Sequence, residues 1–229
     1  MKLILTAVMA MTAAAAALAA EPMVPAKPLS RFDAEVAAFA GAGQASTLFL
    51  GSSSIRLWDV AGSFPALHAA NRGFGGATTA DVLHHYDRVV AGVQPASVLV
   101  YVGENDIAGG ASAEQAASDV LTLLARLRRD MPAARIAYLS MKPTPSRWHL
   151  YPHMGAANAA IRASAAAVGF DYIDVGTALL AADGRPDVQL FRLDGLHLNE
   201  SGYQRWTAII DRYLQPASRM ASAKVQGAS

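Results

Sequence analysis

The chain contains no cysteine in its 229 residues. This absence excludes disulfides, thiolate nucleophiles, Cys-based zinc sites and a lipid anchor on cysteine, and it suits an oxidising compartment where stray thiols are a liability. Charge is sparse too, with 16% Asp, Glu, Lys and Arg in near balance, 19 basic against 18 acidic residues. Nothing in that balance favours electrostatic capture of nucleic acid. Two familiar signatures are also missing. Gly51-Ser52-Ser53-Ser54-Ile55 has isoleucine where a Gly-x-Ser-x-Gly elbow needs its second glycine. Gly73-Phe74-Gly75 has no third glycine at the offset a dinucleotide fold requires.

What is present begins with Lys2 and an almost wholly apolar run from Leu3 to Ala20, stopped by Glu21-Pro22. Residues 1–19 read as a secretory signal peptide, with small residues in Ala17-Leu18-Ala19 setting cleavage after Ala19 or Ala20. The expected location is periplasmic or secreted. If retained, the run is long enough to span a bilayer, but the cleavage site argues against a stable membrane anchor. Loss of Lys2 with the leader brings the formal charge to zero. Residues 20–29 carry Pro22, Pro25 and Pro28 and read as an extended lead-in, and 216–229 are small and polar and read as a flexible tail. The remainder, 30–215, suits one domain with one sizeable core.

Within that domain, short apolar runs at 47–50 and 97–102 each end in a glycine, Gly51 and Gly103, as buried parallel strands do. Further strands are expected at 135–140 and 170–175, with a weaker one at 67–71. Helical patterns lie between and around them, at 31–40, 79–91, 113–130, 153–168 and 200–214. Alternating strand and helix implies an α/β fold with right-handed crossovers, a mostly parallel sheet of about five strands and helices on both faces. In such sheets ligands bind beyond the carboxyl ends of the strands, so residues just after a strand are the first to inspect for chemistry.

Four segments qualify. Ser52, Ser53 and Ser54 put three hydroxyls directly after the first strand, where a tight turn can lift one above the sheet edge; serine there is also an ordinary cap or turn residue. Asn71 to Gly76 follows the second strand, and its glycines let backbone N–H groups approach a ligand closely. Gly103-Glu104-Asn105-Asp106 offers Asn105, whose amide can donate to a developing oxyanion without changing protonation state. Asp106 reads as a structural partner that holds the loop, because a carboxylate beside an oxyanion is unfavourable, and Glu104 falls under the same argument. Last, Asp194 and His197 stand three residues apart, a carboxylate able to orient an imidazole that takes a proton from a hydroxyl.

Taken in order, Gly51-Ser52-Ser53, Asn71 through Gly76, Gly103-Glu104-Asn105-Asp106 and Asp194 through His197 resemble the blocks of the SGNH, or GDSL-like, hydrolases. The resemblance covers nearly the whole domain. It implies a three-layer α/β/α sandwich like flavodoxin, with Ser53 as nucleophile, His197 as general base and Asp194 as its partner. It also implies an oxyanion hole made of the Ser53 N–H, the Gly76 N–H and the Asn105 side chain, with no metal or organic cofactor. One departure is Ser52, which stands where the family usually has aspartate and leaves Ser53 against Ser54 to be decided. The expected function is hydrolysis of short-acyl carboxylic esters, such as acetyl groups on sugars, through an acyl-enzyme. The alternatives are a lysophospholipase or thioesterase, or a non-catalytic glycan- or lipid-binding protein on the same scaffold. Oligomeric state stays open.

Other residues carry weaker expectations. Arg72 could meet an anionic substrate group or form a surface ion pair. His84 and His85 are expected at the surface. His149 and His153 do not form a helical metal pair, since Pro152 lies between them and no acidic third ligand is placed. Trp148, Tyr151 and Met154 could line the acyl or alcohol pocket or simply pack on the surface.

Overall fold

The computed structural model describes residues 32–39 and 45–215. The leader, the lead-in and the tail expected at 1–19, 20–29 and 216–229 lie outside the described residues. In chain order the first half runs α1 (Asp33–Ala37), β1 (Thr47–Gly51), α2 (Ser53–Arg56), α3 (Val60–Ser63), β2 (Ala69–Gly73), α4 (Thr79–His84), α5 (Tyr86–Val89) and β3 (Ser97–Tyr101). The second half runs α6 (Glu104–Ala108), α7 (Ala113–Asp130), β4 (Arg135–Leu139), α8 (Tyr151–Val168), β5 (Asp171–Ile173) and α9 (Glu200–Leu214), with short 3₁₀ turns at Pro145–Leu150, Thr177–Leu179 and Val188–Leu190.

All five strands are parallel, in the order β2-β1-β3-β4-β5. Their side chains alternate between two cores, because successive residues of a strand face opposite sides of the sheet. Leu48, Leu50, Val98, Val100, Ile136 and Tyr138 enter one core with α4, α5, α7 and α8. Phe49, Leu99, Tyr101, Ala137 and Leu139 enter the other with α2, α3 and α9. Helices therefore cover both faces, giving the three-layer α/β/α sandwich. Each buried side chain of this size contributes roughly 1.5–3 kcal/mol through loss of apolar contact with water.

The strand order reverses between β1 and β3, and that is where the crevice at the carboxyl edge opens. Local chemistry ends both strands there. Gly51 has φ +150° and a Cβ built on it would lie 1.9 Å from the Tyr101 carbonyl oxygen, so only glycine lets the two strand ends approach so closely. Gly103 takes φ +105°, and its missing side chain leaves the space filled by Met141.

Most element boundaries follow the sequence pattern, and α7 and α9 span the residues their periodicity marks. The exceptions have local causes. The helix expected over 79–91 is two short helices, broken at His85, whose backbone leaves helical geometry (φ −92°, ψ 7°). His85 is buried, not at the surface, with its ring edge-on to Phe32 and Phe74; His84 is exposed as expected. Helix α8 starts at Tyr151 rather than His153, because Pro152 occupies its first turn, where a proline costs no hydrogen bond.

Helix α9 packs beneath the turn after β1. Trp206 is fully buried, donates from Nε1 to the Val175 carbonyl at 3.1 Å, and meets Trp58 and Tyr101 with ring centroids 5.6 and 5.1 Å apart. Tyr203 donates its hydroxyl to the Ser54 carbonyl at 2.9 Å. Trp206→Ala should lower stability by about 3–5 kcal/mol through the cavity it leaves. Urea unfolding checks this, and a loss below about 1 kcal/mol would show that α9 is not held by this contact.

Candidate functional site

Asp194 and His197 sit on the loop that enters α9. Asp194 Oδ1 accepts the backbone N–H groups of Leu196 and His197, both at 2.9 Å, while Oδ2 lies 2.7 Å from His197 Nδ1. Gly195 takes φ +61° to close this small ring. Burial opposes the charge on Asp194, but the bonds from His197 and Leu196 together outweigh it and hold the carboxyl at about 2. An ionised carboxylate accepts only, so Nδ1 carries the ring proton and Nε2 is left as the acceptor. The loop is fixed from both sides: Arg192 N–H donates to the His197 carbonyl at 2.8 Å, and the Asn199 side chain caps α9 through Gly202 N–H at 3.1 Å.

His197 Nε2 lies 3.0 Å from Ser53 Oγ, across 144 positions of sequence. Ser53 opens α2, so its N–H has no acceptor within the helix. Neighbouring residues of a helix project about 100° apart, and Ser54 accordingly points the other way, its buried Oγ accepting from Lys142 Nζ at 3.2 Å. The structure thus brings Ser53, His197 and Asp194 into one hydrogen-bonded line and leaves Ser54 out of it. Ser52 caps α2 without a side-chain bond. The turn is held instead by Ser52 N–H donating to the Tyr101 carbonyl at 3.0 Å, and by Asn71 Nδ2 donating to the carbonyls of Ile55 and Trp58 at 2.7 and 3.0 Å.

The glycine block and the asparagine block are tied to each other. Gly76 adopts φ +73° in the loop after β2. One residue on, the Ala77 carbonyl accepts from Asn105 Nδ2 at 2.9 Å, and Thr79 N–H donates to both oxygens of Asp106 at 3.0 and 3.1 Å. Asp106 is therefore a loop holder, as expected. Backbone donors and an amide beside a serine, an imidazole and a carboxylate are the parts that acyl transfer needs. Residues 40–205 match the pattern of the GDSL-like lipase/acylhydrolase family.

The chain belongs to that family. It is a hydrolase of ester bonds. Solved structures sharing the fold of this GDSL-like hydrolase include a Streptococcus pneumonia protein whose name refers to platelet activating factor, with 22% identity, covering 82% of this chain and 94% of that one at a TM-score of 0.73. A GDSL-like lipase from Bacteroides thetaiotaomicron shows 21% identity, covers 81% and 96%, and superposes at 0.66. The lipase/acylhydrolase from Enterococcus faecalis shows 18% identity, covers 75% and 95%, and superposes at 0.61. No curated protein matches the chain.

Sequence reasoning missed a buried ionic cluster behind the hydrolase's Asn105. Glu104 is buried, with Lys142 Nζ at 2.7 Å on Oε2, Arg147 Nη1 at 3.0 Å on Oε1, and the Tyr101 hydroxyl donating to Oε2. Burial works to raise the pKa of Glu104, yet Lys142 first and Arg147 next keep it below 4.5. Lys142 is fully buried, three residues past the end of β4 on the same edge of the sheet as Asn105. That position, a lysine closing an apolar strand at the ligand edge, is the one signal that could have found it.

Two other expectations are corrected. Arg72 meets neither a substrate group nor a surface partner: it is buried, donates to the Val89 carbonyl at 3.3 Å and lies over the Phe39 ring. Met154 is buried in the core with α7 and lines no pocket. Trp148 and Tyr151, half-buried, stack on each other at 5.1 Å, in keeping with the packing alternative. Among the described residues, no group of three or more His, Asp or Glu side chains is placed to hold a metal ion.

Burial raises the Asp106 pKa from 3.8 to about 6, against the pull of the Thr79 bonds. A carboxyl that holds its proton more tightly folded than unfolded favours the fold below about pH 4, and that contribution is lost as pH rises through about 6, amounting to about 3 kcal/mol. Asp106→Asn should flatten the fall in unfolding free energy between pH 4 and 7. A slope identical to that of the unchanged protein would remove Asp106 as its source.

Proposed function

We propose that the protein is an exported serine esterase that hydrolyses short-acyl carboxylic esters, such as acetyl esters of sugars, through an acyl-enzyme on Ser53. The observation that carries this reading is the unbroken line from Asp194 Oδ2 through His197 to Ser53 Oγ, at 2.7 and 3.0 Å. Ser53 Oγ attacks the ester carbonyl carbon while His197 Nε2 takes its proton. The carbonyl oxygen becomes an oxyanion, met by the Ser53 N–H, the Gly76 N–H and the Asn105 amide. His197⁺ then protonates the departing alcohol as the carbon–oxygen bond breaks, leaving the acyl group on Ser53. Water repeats the sequence, giving up a proton to His197 and releasing the acid. Export is supported by the leader pattern at 1–19. A short acyl group is supported by the brief connections after β1 and β3, with Ser53 only two residues past the end of β1 and Glu104 three past the end of β3.

A lysophospholipase reading has one feature in its favour: Leu193, immediately before Asp194, is fully exposed and could meet a lipid chain. The neighbour named for platelet activating factor makes that compound worth including among the substrates compared. A non-catalytic binding role would have no need of the Ser53 to His197 bond.

Purified protein should cleave p-nitrophenyl acetate and be labelled by a fluorophosphonate. Ser53→Ala should abolish labelling and reduce turnover by about 10⁴-fold or more, whereas Ser54→Ala should still be labelled. Full activity in both variants would sink the assignment. Rates on acetylated sugars, short- and long-chain esters and lysophospholipids then separate the substrate classes.

A further inference from the structure

Asn105 is held at both ends of its amide. Nδ2 donates to the Ala77 carbonyl at 2.9 Å, and Oδ1 accepts from Arg147 Nη1 at 3.0 Å. Turning the amide over would set oxygen against the Ala77 carbonyl and NH₂ against a guanidinium, unfavourable at both ends. One orientation is therefore selected, and in it the second Nδ2–H is uncommitted. Arg147 is itself fixed. The same Nη1 donates to Glu104 Oε1 at 3.0 Å, and Glu104 is held by Lys142 and Tyr101. The Arg147 backbone is fixed by Thr144, whose hydroxyl accepts its N–H at 3.3 Å.

The preceding residue reaches the other half of the site. Ser146 donates to the Gly195 carbonyl twice, from N–H at 3.0 Å and from Oγ at 3.1 Å, inside the Asp194 to His197 loop. A single turn thus touches both the amide block and the imidazole loop. The cluster also has a charge surplus, since two cations, Lys142 and Arg147, face one carboxylate, Glu104. Positive charge in a water-poor site next to Asn105 favours negative charge developing on a nearby oxygen.

We propose that Arg147 is a positioning residue for the oxyanion site, holding the Asn105 amide by Oδ1 so that its free N–H serves the tetrahedral intermediate. This rests on the esterase reading above. Arg147 acts through Asn105 and does not touch the substrate. Its removal leaves Glu104 paired with Lys142, so the fold has no stranded buried charge, whereas removal of Lys142 or Glu104 would create one.

The test uses the full-length protein with Arg147→Met, Arg147→Lys, Asn105→Ala and the double variant Arg147→Met/Asn105→Ala, assayed for kcat and KM on p-nitrophenyl acetate. Asn105→Ala should lower kcat by about 10²–10³-fold, as loss of one oxyanion donor does elsewhere. Arg147→Met should lower kcat by about 10–100-fold, the scale of a misplaced catalytic group, with KM within about twofold. Arg147→Lys should recover part of that loss. The double variant should be no slower than Asn105→Ala alone, because a residue acting only through Asn105 has nothing left to act on.

The positioning role is overturned if Arg147→Met keeps kcat, if its loss lies in KM, or if the two losses multiply in the double variant. Should Arg147→Met fail to fold, the cycle is run with Arg147→Lys, whose smaller loss must likewise vanish in the Asn105→Ala background. An unchanged protein that turns over no ester and takes up no fluorophosphonate overturns the esterase reading instead, and this role with it.

Discussion

The close approach of β1 to β3 at the carboxyl edge is the constraint on which the site depends. With a Cβ at residue 51 only 1.9 Å from the Tyr101 carbonyl oxygen, any other side chain would push the strands apart. Because residue 51 is glycine, the Ser52 N–H can reach that same carbonyl, and the Gly51 carbonyl can accept from Phe74 N–H at 3.1 Å. The ends of β1 and β3 and the loop after β2 are thereby joined by backbone bonds alone. Ser53, the Gly76 loop and Asn105 start from that junction, and the Asn71, Tyr203 and Arg147 side chains complete their placement.

The acid-base half is built on different terms. Asp194 to His197 is a local structure: one carboxylate closes onto two backbone N–H groups and the ring nitrogen within four residues. It needs the rest of the protein only to be delivered, and delivery falls to α9, the Phe191–Leu198 bridge and the Ser146 bonds to the Gly195 carbonyl. An error in packing α9 would therefore shift the whole local unit relative to Ser53 without distorting it.

Much of this was legible in the sequence, and the exceptions share a cause. Apolar runs ending in glycine mark β1 and β3 because backbone and burial requirements act over five residues. The spans of α7 and α9 are marked by their apolar pattern, and in the fold their starts are capped by Ser112 and Asn199. Strand β2 is fainter because three of its five residues are only partly buried. Counting from Gly51 favours Ser53 over Ser54 on spacing, and the fold sends the Ser53 hydroxyl to the imidazole and the Ser54 hydroxyl to Lys142. The ionic cluster, by contrast, was invisible. Lys142, Glu104 and Arg147 are residue types that normally face water, and their partners lie 38 and 43 positions apart. Only the folded sheet edge reveals that Lys142 and Arg147 meet on the buried Glu104 carboxylate. His85 and Arg72 were misread on the same default.

The loop bearing His197 lies on the outer flank of the protein, with about a fifth of the His197 side chain and about half of the Asp194 carboxylate open to solvent. Under the proposed esterase reading, an acyl group carried on Ser53 would have an imidazole side that is partly open to water. Supply of the second nucleophile is then a matter of concentration, and in dilute aqueous surroundings no sugar or alcohol competes well on that count. On that reading, the exposure of His197 and Asp194 favours release of free acid over passing the acyl group to another hydroxyl.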